Sequence, residues 1–301
     1  MSILMPVKNV EPYISECMDS ILKQTYSKFE IIVVDDHSTD MTADIVKQYA
    51  NNDARVKLVK AQESGFVAAL NLGLEYCSCN LIARMDGDDI AREDRFQIQM
   101  DFMENNPDVD VCGSWIELFG QKTEVWHYRQ FDSHIKSLMM FKRSGFGHNA
   151  VIVRKKVYDA FKYESAFEFC EDYRLWCQLA TKSTFKFHNI QMPLVKYRIH
   201  STQVIATKTA VQSTLREKIL KDFIAELGWE MDPNEFILYQ AIRELDFSRT
   251  KASLQEIRKM FERLREISNA RFGDDCGLFD LHWQRLVECI DAKQFTQIVD
   301  N

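Results

Sequence analysis

The chain has 301 residues, 46% of them hydrophobic, which is enough for one ordinary α/β domain with an appendage or for two modest domains. Its 38 Lys and Arg against 45 Asp and Glu give a net charge of −7, which argues against nonspecific nucleic-acid binding. The eight cysteines form no CxxC pair, and the N-terminus lacks the features of a signal peptide. We therefore expect reduced core thiols in a cytosolic protein that is soluble or peripheral to a membrane.

The first 120 residues alternate strand and helix patterns with short connections, as in a doubly wound parallel sheet. Short apolar runs predict the strands, and apolar residues at helical spacing, such as Ile14, Cys17, Met18 and Ile21, predict the helices. The predicted strands cover residues 2–5, 29–34, 56–59, 81–83 and 109–119, and the predicted helices lie near residues 14–22, 42–49, 66–76 and 93–104.

The composition and the apolar pattern of the rest of the chain change twice. Residues 120–200 are less regular and richer in aromatic residues and His, which is typical of loops and mixed strands that build a substrate pocket. Beyond about residue 205 long helical patterns follow, and Gly228 and Pro233 mark a break between two helices. We therefore divide the chain into an α/β domain at residues 1–205 and a helical appendage at residues 206–301.

Three carboxylates, Asp86, Asp88 and Asp89, directly follow the fourth predicted strand. Carboxylates this close repel one another unless a cation or hydrogen-bond donors neutralise them, and open α/β sheets bind ligands at the carboxyl ends of their strands. The alternative is an ordinary turn in which Asp89 caps the next helix. The second predicted strand also ends in acids, at Asp36, and two acidic strand ends favour a site for a divalent metal ion and a nucleotide.

Five patterns follow one another along the first 200 residues: MPVKN at 5–9, VVDDHSTD at 33–40, RMDGDD at 84–89, EDYRLW at 171–176 and YRIH at 197–200. In order and spacing they resemble the family 2 glycosyltransferases, which use nucleotide-sugar donors. The resemblance implies a GT-A fold, a Rossmann-like mixed and mainly parallel sheet flanked by helices. It also implies that residues 1–205 bind the nucleotide-sugar and carry catalysis.

The resemblance implies a donor site with a bound Mn²⁺ or Mg²⁺ as Lewis acid for the diphosphate leaving group. Asp88 would bind the metal ion, with His200 as a second metal candidate, and Asp86 would contact the donor ribose or reach the metal through water. Asp36 would accept a hydrogen bond from the base. The other residues that we assign to donor binding are Pro6, Val7, Asn9, Gly65, Arg84, Gly87 and Arg198.

Attack by an acceptor hydroxyl needs a general base, and the resemblance implies that Asp172 is this base. Glu171 would hold acceptor or donor hydroxyls, and attack from the face opposite the diphosphate inverts the anomeric centre. We place His148 and Trp176 on the acceptor side. The alternatives are a helix N-terminus for the two acids and an ordinary buried histidine for His148.

Three positions depart from the family pattern. Lys8 stands where the family often has a Tyr that can stack on the nucleotide base. The sequence therefore does not predict stacking at this position, and Lys8 either contacts phosphate or lies outside the site. Gly87 stands where Ala is common, and His37 stands where Gly is usual. We expect the fold to tolerate both.

The resemblance therefore implies an inverting, metal-dependent transfer of a sugar, expected from a UDP-sugar, onto a carbohydrate acceptor. The product would belong to a bacterial surface polysaccharide such as capsule or lipopolysaccharide. A lipid-linked acceptor would bring this cytoplasmic chain to the inner face of the membrane. The helical appendage could dock there, form a homodimer contact or pack on the catalytic domain, and we favour packing.

Two other functions compete with this interpretation. A sugar nucleotidyltransferase usually carries a Gly-rich basic loop near its first strand, and residues 5–9 lack one. A non-catalytic nucleotide-sugar-binding protein would lack a metal ligand or a base, whereas Asp88 and Asp172 are both present.

Overall fold

The computed structural model describes residues 1–141, 144–200, 209–248, 250–273 and 277–293. The expected domain boundary at residue 205 and the thiol of Cys276 lie outside these ranges. The cysteines whose surroundings the structure describes are free, and all of them except Cys79 are buried. These positions agree with the expected reduced core thiols.

The first 120 residues form the alternating pattern that the sequence predicts. Apolar runs become buried strands, and apolar stripes turn the helices onto the sheet. The elements are β1 (Ser2–Val7), α1 (Glu11–Leu22), β2 (Glu30–Asp35), α2 (Thr42–Asn52), β3 (Val56–Lys60), α3 (Phe66–Tyr76), β4 (Leu81–Arg84), β5 (Ile90–Ala91), α4 (Arg95–Asn105) and β6 (Val109–Gly120).

The middle of the chain adds short strands and helices to the same sheet. They are β7 (Glu124–Trp126), α5 (Asp132–Met139), β8 (Ile152–Arg154), α6 (Lys155–Ala160), α7 (Glu171–Lys182) and β9 (Lys186–Ile199). Single-turn 3₁₀ segments at His148–Ala150 and Ser165–Phe167 precede β8 and α7.

In the described part of the chain the sheet has the order β3-β2-β1-β4-β8-β6-β9-β5, and β7 pairs with β6. It is mixed and mainly parallel, as expected, because β3, β2, β1 and β4 are parallel and β6 and β9 form a long parallel pair. The carboxyl ends of β1, β2, β4 and β9 therefore meet at one edge. Since β8 runs antiparallel to β4, the turn that precedes β8 lies at this edge too.

Alternating strand residues supply two apolar layers. In β1, Ile3 and Met5 pack in a cluster with residues of α1, α2 and α4 on one face. Leu4 belongs to the opposite cluster, which continues through α3 and α7 into the C-terminal helices. Both faces of the sheet are therefore covered, as is usual where strands are parallel.

The C-terminal helices are α8 (Thr209–Glu226), α9 (Pro233–Glu244), α10 (Leu254–Phe272) and α11 (Leu278–Lys293). The predicted break lies between α8 and α9. Gly228 lies in it with a φ of +99°, and Pro233 is the first residue of α9. The helices pack on the α/β part, where the Tyr239 hydroxyl donates to the Met140 carbonyl. No helix in the described ranges is both long enough and apolar enough to cross a bilayer.

Candidate active site

Residues 86–89, which we call the metal turn after the ion that the sequence analysis expects there, closely follow β4. One carboxylate oxygen each of Asp86, Asp88 and Asp89 lies within 4.8 Å of the others. The turn packs closely on the end of β1, since a Cβ on Gly87 would lie 2.7 Å from Cγ1 of Val7. Close packing therefore fixes the carboxylates at the carboxyl end of β4.

The electrostatics of the turn disfavour its negative charge. Burial and the neighbouring Asp86 raise the pKa of Asp88, although His200 opposes them with Nε2 3.0 Å from Oδ2 of Asp88. Burial, followed by the charges of Asp88 and Asp86, raises the pKa of Asp89 well above its usual value. A bound cation would relieve this repulsion.

Asp89 is fully buried, and both of its carboxylate oxygens are engaged. Oδ1 accepts the Arg198 N–H at 2.9 Å, and Oδ2 accepts a hydrogen bond from the Asn149 side chain. Asp89 thus joins the metal turn to the end of β9 and to the turn before β8.

The Arg198 side chain is held by protein groups. Nε donates to the Asp88 carbonyl at 2.8 Å, and Nη2 pairs with Glu16 on α1. The guanidinium carbon lies 4.8 Å from the ring centre of Tyr13 and 4.4 Å from that of Phe119. Through these contacts Arg198 fastens β9 and α1 to the metal turn, and its assignment to donor binding stays a prediction.

Asp36, after β2, lies in a second polar corner. Its Oδ1 accepts the Gly65 N–H at 3.0 Å, and the Lys8 ammonium lies 3.1 Å from Oδ2. Burial acts to raise the pKa of Asp36, but the Gly65 N–H, Lys8 and His37 outweigh it and lower the pKa. Asp36 is therefore an ionised acceptor, and Lys8 lies against it.

Three other residues assigned to the donor lie beside this corner. Pro6 and Val7 are buried at the end of β1. Asn9 has a φ of +52°, and its amide oxygen accepts the Thr39 N–H at 2.8 Å. Asn9 therefore joins the loops after β1 and β2.

Glu171 and Asp172 form the first turn of α7. In the described part of the chain, Oε2 of Glu171 is buried without a hydrogen-bond partner. Burial and the charge of Asp172 raise the pKa of Glu171 to about 8. Burial also raises the pKa of Asp172, although Arg84 and Arg216 oppose this effect.

His148 faces the acidic pair from the turn before β8. Its Nδ1 lies 3.8 Å from Oε1 of Glu171, and its Nε2 lies 2.8 Å from the Tyr163 hydroxyl. Burial and the positive charge of Arg84 lower the pKa of His148 well below its usual value. His148 is therefore a neutral ring at the wall of the acidic pair.

Trp176 does not line the site. Its side chain is 0% exposed, and its ring centre lies 5.2 Å from that of Phe146 in the core. The assignment of Trp176 to acceptor contact is corrected, because a ring without exposed surface can only support the wall from behind.

Arg84 is the buried cation between the two acidic groups. It forms an ion pair with Asp86, and its guanidinium carbon lies 5.3 Å from the ring centre of Phe66. Burial disfavours the charged form, but Asp86, together with Tyr163 and Glu171, outweighs it and raises the pKa. Among the described residues, Nε of Arg84 is buried without a hydrogen-bond partner.

Sequence reasoning missed two residues that tie the site together. Asn149 binds Asp89, as described above. Glu168 accepts the Phe66 N–H at 2.7 Å, so it links the segment before α7 to the first turn of α3. These partners are 60 and 102 residues apart in the sequence, and no local pattern marks them.

The described geometry combines an acidic strand-end turn, an ionised acceptor after β2 and an acid pair with raised pKa values at the start of α7, as expected of an enzyme that binds nucleotide-sugars. The family model described as Glycosyl transferase family 2 matches residues 2–165. The match covers more than half of the chain, so the chain belongs to this family and is a glycosyltransferase. The nucleotidyltransferase and non-catalytic alternatives are therefore set aside.

Two relatives come from Escherichia coli. The O-antigen biosynthesis glycosyltransferase WbnJ is 31% identical over 73% of this chain and 89% of its own. The UDP-Glc:alpha-D-GlcNAc-diphosphoundecaprenol beta-1,3-glucosyltransferase WfgD is 29% identical over 69% of this chain and 80% of its own. Both relatives are glycosyltransferases.

Solved structures establish the GT-A fold. Staphylococcus aureus TarS in complex with UDP-GlcNAc matches with a TM-score of 0.64 at 18% identity, over 96% of this chain and 88% of that one. The mannosyltransferase PcManGT from Pyrobaculum calidifontis, in complex with GDP-Man and Mn²⁺, matches with a TM-score of 0.55 at 16% identity, over 100% of this chain and 87% of that one.

Proposed function

We propose that this glycosyltransferase moves a sugar from a UDP-sugar to a glycan or lipid-linked glycan acceptor, with a divalent metal ion and with inversion. The observation that carries the proposal is the buried Arg84 cation between an acidic strand-end turn and the acid pair of α7. WfgD is named for a UDP-Glc donor, and TarS was solved in complex with UDP-GlcNAc, so both similarities favour a uridine donor here.

The donor set of the metal turn fits Mn²⁺ or Mg²⁺. Asp88 and Asp86 offer carboxylate oxygens, His200 offers a ring nitrogen, and hard divalent cations prefer oxygen ligands with at most a few nitrogens. The ion, when bound, neutralises charge on the diphosphate leaving group. The raised pKa of Asp88 supports this assignment, because a cation would stabilise the carboxylate that its neighbours destabilise.

Different residues of this chain would then carry out different steps of the reaction. Asp36 accepts a hydrogen bond from the uracil base, and the buried Arg84 cation holds Asp86 and attracts the negative charge of the bound donor. Asp172 takes the proton of the acceptor hydroxyl while the oxygen of this hydroxyl forms a bond to the anomeric carbon. The bond between the anomeric carbon and the diphosphate oxygen breaks at the same time. Its raised pKa makes Asp172 a stronger base than an ordinary aspartate. UDP leaves, and attack opposite the leaving group inverts the anomeric centre.

The metal assignment is tested by calorimetric titration of UDP-sugars into wild type and Asp88→Ala, each with and without Mn²⁺. We expect Mn²⁺ to tighten donor binding in wild type and to have no effect in Asp88→Ala. Asp101→Ala removes an exposed acid on α4 and should behave as wild type. Equal donor affinity with and without Mn²⁺ in wild type would remove the metal from the proposal.

A further inference from the structure

Asp89 and Asn149 form one buried link between the two sides of the site. Asp89 is 0% exposed and Asn149 is 3% exposed, and the Asn149 amide donates to Oδ2 of Asp89. The other oxygen of Asp89 accepts the Arg198 N–H. One buried carboxylate thus fastens three segments that the sequence keeps far apart.

Both ends of this link lead to proposed functional residues. Asn149 follows His148, which faces Glu171. On the other side, the Arg198 guanidinium holds the Asp88 carbonyl, and His200 contacts the Asp88 carboxylate.

A second buried set of polar groups supports the same frame. The side-chain amide of Gln99 donates to the Ala150 carbonyl at 2.9 Å, and Arg95 donates to the Arg84 carbonyl at 2.9 Å and to Gln99 at 3.0 Å. Arg95 and Gln99 are fully buried. Buried polar groups cost free energy unless they form hydrogen bonds, and apolar residues of similar shape would fill the same space without this cost. A buried polar network at this place is therefore suited to holding the segments in fixed positions.

We infer that Asp89 and Asn149 are positioning residues that set the metal turn in register with the acceptor side of the site. The functional roles of the two sides rest on the proposed function, whereas the mechanical link rests on the contacts above. The Asn149 side chain donates its hydrogen bond to Asp89. Removing it should therefore change the surroundings of Asp88 and His200 through Asp89.

The link is tested without ligand by NMR of the full chain with isotope-labelled histidines, in which the His200 ring signals are identified by their loss in His200→Gln. Asn149→Ala and Asp89→Ala should both shift these signals, and the double variant should shift them no further than Asp89→Ala, because both act through one link. Asp89→Asn should leave them nearly unchanged. Its amide oxygen can still accept the Arg198 N–H, and its NH₂ can donate to a flipped Asn149.

Asn189→Ala is the matched control, because Asn189 is equally buried and donates to the carbonyls of Arg129 and Gly145. It should lower the melting temperature as much as Asn149→Ala without moving the His200 signals. If Asn149→Ala does not fold, the exchange pair Asp89→Asn with Asn149→Asp restores the hydrogen bond with its polarity reversed, and should restore the wild-type signals. Unmoved His200 signals in Asn149→Ala, or equal shifts in Asn189→Ala, would overturn the inference.

Calorimetry with UDP and Mn²⁺ separates this inference from the proposed function. Asn149→Ala should weaken UDP binding roughly 2- to 30-fold, the scale on which residues that do not contact a ligand modulate its binding. A wild type that does not bind UDP would refute the donor proposal, while the NMR result would still decide the link.

Discussion

Arg84 and the carboxylates around it set the charge balance of the site. Asp86 is paired with Arg84, whereas Asp88 keeps a raised pKa, and so does the pair Glu171 and Asp172. Arg84 alone does not neutralise these four acids, which agrees with the proposal that a divalent cation binds on the donor side.

Asp172→Asn should lower sugar transfer by at least ~10²-fold, the usual scale for a positioned base, and should leave donor affinity unchanged. UDP release in the presence of a lipid-linked glycan acceptor measures the first quantity, and calorimetry measures the second. Asp159→Asn changes an exposed acid on α6 and serves as the control. Transfer within a few-fold of wild type would remove Asp172 from the role of base.

Glu171→Gln should reduce the loss of stability at high pH. The pKa of Glu171 is about 8 in the fold against an ordinary value of 4.5, so between these pH values the folded state holds a proton that the unfolded chain has lost. Stability therefore falls as pH rises from 4.5 to 8. Relative to wild type, the variant should gain more than ~1 kcal/mol between pH 5 and pH 9, measured by denaturant unfolding. An identical pH dependence in both proteins would show that Glu171 titrates normally.

Local motifs predicted the site acids better than they predicted the contacts among them. The sequence singled out Asp36, Asp86 and Asp88 because acids directly follow buried strands, and the structure places all three at one sheet edge. It could not place the Arg198 side chain on Glu16, which is 182 residues away in the sequence. Nor could it distinguish a buried Trp176 from one that lines a pocket, since both patterns look alike.

The metal turn, as an element, depends on close packing against β1 and α1. A Cβ on Gly87 would lie 2.7 Å from Cγ1 of Val7, 3.2 Å from Cγ2 of Val10 and 3.3 Å from Cδ1 of Ile14. The valine atoms cannot move far, because Val7 ends a buried strand. The structure agrees with the expectation that the fold tolerates glycine here, and it shows that glycine fits this chain better than alanine.

Gly87→Ala should therefore cost about 1–3 kcal/mol of stability, the scale of overpacking, and should weaken Mn²⁺-dependent donor binding as the turn shifts. Thermal melting and calorimetry measure the two effects. Adding Val7→Ala removes the crowded methyl group and should restore donor binding in part. If Gly87→Ala melts and binds as wild type does, the turn is not packed as described.

The sequence predicted the helices and strands that have long apolar patterns. It missed the short strands, which are defined by their pairing in the sheet. Apart from β5, the strands and helices of the first 120 residues follow from apolar runs and stripes. The two-residue strand β5 and the three-residue strands β7 and β8 carry too few residues for a period to show. Their strand character comes from hydrogen bonds to partner strands. β5 and β8 pair with β9 and β4, which are distant in sequence, and β7 pairs with the preceding strand β6.

On the scale of the whole molecule, the C-terminal helices extend the core of the α/β part. The Ser268 and Ser137 hydroxyls lie 2.7 Å apart, and the ring centre of Phe279 lies 4.9 Å from that of Phe141. The apolar cluster that holds Trp176 also holds Phe279. These contacts agree with packing, which the sequence analysis favoured over membrane docking and a dimer contact.

Phe279→Ala should destabilise the whole protein by about 3–5 kcal/mol, because a buried aromatic ring is replaced by a cavity. Unfolding followed by far-UV circular dichroism and by Trp fluorescence should remain one coincident transition. Leu281→Ala lies on the same helix at a site that is 39% exposed and should be nearly neutral. Separate transitions in wild type, or a neutral Phe279→Ala, would show that the helices do not share the core.

The most direct measurement is calorimetric binding of a panel of UDP-sugars and GDP-sugars to the wild-type chain, each with and without Mn²⁺, because it needs no knowledge of the acceptor. The proposed donor site predicts that a UDP-sugar binds, that Mn²⁺ tightens its binding, and that GDP-sugars bind more weakly. Binding that favours a GDP-sugar, or that is the same with and without Mn²⁺, would contradict the central claim.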